Sequence, residues 1–264
     1  MARAVERIER DIAVLEEAIG AVAAELGNAY ADYLNALSQA VRQHLVLASY
    51  NLCTQGYPEN FLRLSFNQRQ QLQQAIRQLG QQATDQLVAI HPQQEKDPEA
   101  REDGEIEVDS PHPSNPRSLA EWQQNLETAI ALTLKTVSRD ANRLLQQAAI
   151  LPKKLPEPLL EAAAKVEASA ETVAGPPNLL NLLVETESDE QSRNANMTHI
   201  TAIHLRLSEI EFADIQVRAG RNQIRNLLLK VNSLGQEYQN KQREWTIAQA
   251  EAAWRASWSE DWMG

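Results

Sequence analysis

Few residues in this sequence could do chemistry, and their spacing is poor for it. The candidate metal ligands and nucleophiles are five histidines, His44, His91, His112, His199 and His204, and one cysteine, Cys53. His91 and His112 fall in a proline- and acid-rich stretch. His199 and His204 are five residues apart, which sends them to different sides of a helix. There is no Glu-x-x-His pair of the kind that holds a di-iron site in a four-helix bundle, and no HExxH, CxxC or EF-hand loop. Neither a GxxxxGK[ST] loop nor a GxGxxG turn is present to cradle phosphate. Cys53 near His44 is a conceivable thiolate pair, but a buried cysteine at a helix end is the commoner situation. Glu209 and Glu211 point to different faces and do not form an acid–base pair. The reading is a protein without catalytic residues, metal or cofactor.

Two groups of residues are better placed to bind than to react. Arg218, Arg221 and Arg225 share one helix face and could grip an anionic partner, although Asp214, four residues before Arg218, offers a helix ion pair instead. Four of the five tryptophans lie in the last twenty residues: Trp245, Trp254, Trp258 and Trp262. Trp245 continues an apolar stripe through Val231 and Tyr238. Trp254, Trp258 and Trp262, spaced by four, lie about 75° or more off that stripe at about 100° per residue. Three indoles on their own face suit a helix-in-groove contact with a protein partner. A tip folded onto its own bundle, or onto a second copy, is the competing reading.

These residues need an element to carry them, and the sequence offers a long one. From Asn194 to Trp262 there is no proline, and Ile203, Leu207, Ile210, Val217, Ile224, Leu228, Val231, Tyr238 and Trp245 recur in steps of three, four and seven. The spacing predicts one continuous helix, roughly 100 Å long at about 1.5 Å per residue. A second long helix is predicted over Ala2 to Leu52, with Val5, Ile8, Ile12, Leu15, Ile19, Val22 and Leu26 as a heptad seam. A further stripe, Tyr30, Leu34, Leu37, Val41 and Leu45, predicts that its later half is covered on two sides. Gly20 and Gly27, one heptad apart, mark either a close helix crossing or two weak points.

Between the long helices lie shorter pieces. Gly56-Tyr57-Pro58 breaks the first helix, and Ser65-Phe-Asn-Gln68 is a capping-box start for a helix to about Ile90 with a glutamine-rich outer face. Ser118-Leu-Ala-Glu121 opens another, to about Leu151. A short alanine-rich helix is expected over Glu157 to Val173. Asn178 to Val184 reads as a compact apolar turn. The fold class is therefore all-α: an elongated helical bundle with long antiparallel coiled-coil-like N- and C-terminal helices. Its organisation reads as an N-terminal helical hairpin (1–90), an acidic disordered linker (91–116), and C-terminal helices (117–264) that complete one bundle with the first.

Composition agrees. Of 264 residues 43% are hydrophobic and only 5% aromatic, and nine glycines are too few for the turns of a sandwich, a barrel or a nucleotide-binding sheet. The net charge is −11. The segment 91–116 carries eight acidic and two basic residues, and 156–192 eight and one, so the charge sits in connectors. That excludes the broad basic face of a nucleic-acid binder. The N-terminus goes directly into a charged amphipathic pattern, with no apolar signal core and no spanning run, so a cytoplasmic protein is expected.

The sequence thus points to a non-enzymatic scaffold or adaptor with a protein partner and a tendency to homo-oligomerise. The first alternative is a peripheral membrane-associated assembly factor that inserts the 178–184 turn and the indoles. Glu251, Glu260 and Asp261 beside them make anionic lipid the less favoured partner. The second alternative is a bundle that holds an apolar ligand.

Overall fold

The computed structural model describes residues 2–90, 116–152, 176–186 and 196–260. The described residues form a helical bundle with a small two-stranded sheet. Helix α1 spans Ala2–Asn51 and ends in a π-helical turn, Leu52–Gly56. Helix α2 is Pro58–Arg63, α3 Phe66–Ala89 and α4 Pro116–Gln147. Strands β1 (Leu179–Thr186) and β2 (Asn196–Ile203) pair antiparallel, with Leu179 opposite Ile203 and Leu182 opposite Ile200. Helices α5 (Leu207–Ala213) and α6 (Ile215–Glu260) follow.

The chain forms two compact units. Among the described residues, one draws on 2–32, 116–126 and 220–260, the other on 33–90, 127–152, 176–186 and 196–219.

In the first unit α1 and α6 run antiparallel. Glu25 faces Lys230 at 3.9 Å, Glu16 accepts from the Tyr238 hydroxyl at 3.1 Å, Asp11 faces Lys241 at 3.4 Å, and Glu9 accepts from the Trp245 indole at 3.2 Å. Residue numbers fall on one helix as they rise on the other, which is the predicted pairing. The seam is buried at Ile19, Ala23 and Leu26 of α1 and at Ile224, Leu227 and Val231 of α6, where the start of α4 adds Leu119 and Leu126. There Tyr30 and Trp122 meet edge to face, centroids 5.5 Å apart. Beyond Val231, Tyr238, Lys241, Trp245 and Ala248 are only half-buried. No atom of the described residues would come within 4 Å of a Cβ at Gly20, so that glycine does not mark a close crossing.

In the second unit α1 is buried on two sides, as its double stripe predicts: Tyr33, Leu34, Leu37, Val41, Leu45, Ala48 and Leu52 are each at most 1% exposed. Helix α3 packs along it, with Gly80 against Arg42 and the Thr84 hydroxyl turned toward the Ser38 carbonyl. The α3 capping box is formed: Ser65 Oγ accepts from Gln68 N, and Gln68 Oε1 accepts from Ser65 N. Helix α4 ends with Ala149 N donating to Gln146 O and Ile150 N to Leu145 O, a Schellman pattern whose left-handed residue is Ala149 at φ 57°.

Three expectations need correction. The stretch from Asn194 is not one helix. It is a strand, a short helix and a long one, and the continuous rod begins only at Ile215. The apolar run 178–184 is not a turn. It is the strand β1, with Leu179, Leu180 and Leu182 buried. Ser118 lies inside α4, whose described start is Pro116, and so does not cap it. The expected acidic linker, except Pro116, and the expected helix 157–173 lie outside the described residues.

Candidate functional site

Of the tryptophans, Trp245 sits on the seam and donates to Glu9, as the stripe requires. Trp254 is 66% exposed, on a helix whose side chains from Gln249 to Ser257 are all exposed. Trp258 lies within α6 but its side chain is outside the described set, as is all of Trp262.

Arg218 and Arg225 are exposed on α6 and Arg221 is half-buried. The helix ion pair expected between Asp214 and Arg218 gives way to a different role. Asp214 lies just outside α6, and its Oδ1 accepts from Gln216 N at 2.8 Å and Val217 N at 3.0 Å. It is the N-cap of the long helix, and its backbone, at φ −102° and ψ 123°, also terminates α5. A carboxylate aimed along the helix axis at those amides is turned away from the outward face that carries Arg218.

The densest polar cluster is one the sequence reading missed, at the root of the hairpin. Asn178 is 1% exposed and left-handed, φ 60°. Its N–H donates to Glu209 Oε2, its carbonyl accepts from His204 N at 3.0 Å, and its side-chain Oδ1 accepts from Arg206 N at 2.9 Å. Its Nδ2 faces His44 Nδ1 on α1 at 3.1 Å. Arg206 pairs with Glu209 and donates to the Leu179 carbonyl at 2.9 Å. One asparagine therefore ties both ends of the hairpin to each other and to α1. His199 and His204 lie on and just after β2, not on a helix.

The outer edge of β2 is closed by side chains from three places. The Tyr57 hydroxyl accepts from Thr201 N at 3.0 Å and donates to Thr201 O at 3.3 Å. Asn142 on α4 does the same for Ile203, both bonds at 2.9 Å. Ser138 Oγ accepts from Leu205 N at 2.9 Å. An uncovered strand edge is a template for unwanted pairing, and here side chains take the place of a third strand. Burial raises the Tyr57 hydroxyl above its ordinary value, so it stays protonated and able to donate.

Burial pushes the Cys53 thiol up to about 11, which removes the thiolate a nucleophile needs. Cys53 lies nine residues beyond His44, in the π-helical turn that follows α1, while the His44 ring is engaged with Asn178. No group of three metal-ligating side chains occurs among the described residues. A groove of about 670 Å³ lies between the start of α4 and α6, floored by Leu119, Leu228 and Val231 and rimmed by Gln123, Asn232 and Gln236. No helix among the described residues is long and apolar enough to cross a membrane. Comparison with known protein families, curated proteins and solved structures finds no match to this chain.

Proposed function

We propose that the chain is a non-enzymatic helical adaptor that holds a protein partner at the tryptophan-bearing end of α6. The observation that carries this reading is Trp254, 66% exposed on the helix that α1 accompanies only along part of its length. An indole two-thirds exposed on a pre-formed helix is the kind of anchor that dominates protein interfaces. Because α6 is already helical, docking it orders few further residues. Arg218, Arg221 and Arg225 are a secondary contact for an acidic partner. The half-buried seam beyond Val231, with Val14 on α1 64% and Ile247 on α6 52% exposed, suits association with a second copy. One unpaired cysteine fits a cytoplasmic setting.

The membrane alternative loses one of its two anchors, since Leu179, Leu180 and Leu182 are buried in the hairpin. The test is Trp254→Ala at native expression, with co-purified proteins identified by mass spectrometry. A specific partner should be lost while the thermal midpoint stays unchanged. An unaltered partner set rejects the tip as the docking element. Light scattering on the same sample reads the self-association.

A further inference from the structure

The root of the hairpin has a property that its hydrogen bonds dictate. Arg206 N is a backbone N–H and can only donate, so the Asn178 side-chain atom facing it must be the oxygen. The other side-chain atom, facing His44, is then the amide nitrogen, which can also only donate. His44 Nδ1 must therefore accept, and the imidazole is neutral with its proton on Nε2. A proton added at Nδ1 sets donor against donor. The amide cannot turn to receive it, because turning sets Nδ2 against Arg206 N–H. Turning the ring instead presents C–H or Nε2–H. No arrangement of these three groups satisfies a charged His44.

We infer that His44, Asn178 and Arg206 form a proton-operated latch that fastens strand β1 to helix α1, and that protonation of His44 opens it. The strand that moves is set by the other contacts. Tyr57, Asn142 and Ser138 hold Thr201, Ile203 and Leu205, so β2 keeps its anchors. The β1 root is held to α1 through Asn178 Nδ2 on His44, and to the segment after β2 through the bonds of Asn178 to His204, Arg206 and Glu209 and of the Leu179 carbonyl to Arg206. Asn178 also sits at φ 60°, in the left-handed region that asparagine tolerates better than other side chains and that its hydrogen bonds here select.

The electrostatics agree with the geometry. Burial disfavours the charged ring most, and the carboxylates that face it, Asp214 at the α5–α6 junction and Glu209 on α5, oppose that in part. Arg206, the cation within this cluster, is paired with Glu209. The net direction is below the ordinary 6.5. The latched form thus binds a proton less readily than the released one. Latching is fully favoured above pH 6.5 and weakens as the pH falls below it. If the latched ring stays neutral, the release equilibrium at pH 5.5 rises by up to about tenfold over its value at pH 8.

The test is hydrogen exchange on the whole protein at pH 8, 6.5 and 5.5, corrected for the intrinsic pH dependence of exchange. In the wild type, Leu180 and Ala202, which face one another across the ladder, should lose protection by up to about tenfold, while α3 and the α1–α6 seam do not change. His44→Gln keeps an acceptor for Asn178 and has no proton to gain, so its hairpin protection should be flat with pH. Equal acid-induced loss in His44→Gln, or none in the wild type, overturns the latch. If His44→Gln does not fold, the wild-type imidazole titration followed by NMR decides. A midpoint below 6.5 with the proton on Nε2 supports the latch, and a midpoint at or above 6.5 refutes it.

Discussion

Asn142 gives the sharpest quantitative expectation. It is 6% exposed on α4, and both bonds of its side-chain amide go to the backbone of Ile203, itself 2% exposed. Truncation to alanine leaves a buried N–H and a buried C=O without partners, each costing about 1–3 kcal/mol. Asn142→Ala should therefore lose roughly 2–6 kcal/mol, a large share of the 5–15 kcal/mol typical of a folded domain. Ser138→Ala orphans a single donor, Leu205 N, and should lose about half as much.

Two further substitutions at Asn142 separate hydrogen bonding from packing. Asn142→Leu restores the volume without the bonds and should be as harmful as alanine. Asn142→Asp still accepts from Ile203 N–H but sets a carboxylate oxygen against the Ile203 carbonyl, so it should not recover stability at neutral pH. Urea denaturation, with the slope checked for constancy across the series, measures all four. If Asn142→Leu unfolds at the wild-type midpoint, the loss in alanine was a cavity. Closure of the β2 edge by side-chain amides would then contribute nothing to stability.

Three other expectations follow from local chemistry. With its thiol at about 11 and only 7% exposed, Cys53 should resist iodoacetamide in the folded protein at pH 8 and react at the free-thiol rate once urea unfolds it; rapid native labelling contradicts the burial. Gly20→Ala meets open space in mid-helix and should raise stability by about 1 kcal/mol, read as a higher thermal midpoint; a drop would place a neighbour against it. Ala149→Gly should also stabilise, by about 1 kcal/mol, because the left-handed position that ends α4 penalises a side chain; a loss would mean Ala149 does not hold that conformation in solution.

Much of the helical frame was legible because its signals are local. The seams of α1 and α6, the double burial of the later half of α1 and the Ser65 cap all rest on spacings of three, four and seven residues. The hairpin was not, and the reason is specific. Ile203, Leu207, Ile210 and Val217 happen to fall at helical intervals, yet the structure places them in a strand and two separate helices. The contrary signals were present but short. Thr198, Ile200, Thr201 and Ile203 are β-branched. The apolar run Leu179 to Val184, bounded by Pro176-Pro177, has the length of a strand buried on both faces. The lack of proline after Asn194 outweighed them, although it permits a helix without requiring one. The root cluster was out of reach altogether. Asn142 and Ile203 are 61 residues apart, His44 and Asn178 134, and no pattern in one sequence joins them.

Asp214 links the helix break to the latch, and one residue can be altered to separate its two roles. Its Oδ1 caps α6, and its charge faces His44. Asp214→Ala removes both and should cost about 1 kcal/mol at pH 8 from the cap alone. Asp214→Asn keeps an oxygen for Gln216 N and Val217 N, so it should lose only a few tenths of a kcal/mol there, from the weaker interaction with the helix dipole. The charge is absent from both variants, and because it raises the His44 midpoint, that midpoint should move further below 6.5 in both. The folded state then resists protonation more strongly while the unfolded value is unchanged. Stability should consequently fall more steeply between pH 6.5 and 5.5 in Asp214→Asn than in the wild type. Imidazole titration by NMR and urea midpoints at the two pH values measure this. An unchanged or higher His44 midpoint in Asp214→Asn would mean that the α6 amides absorb the carboxylate's field entirely. The cap and the latch would then be neighbours in space with no energetic connection.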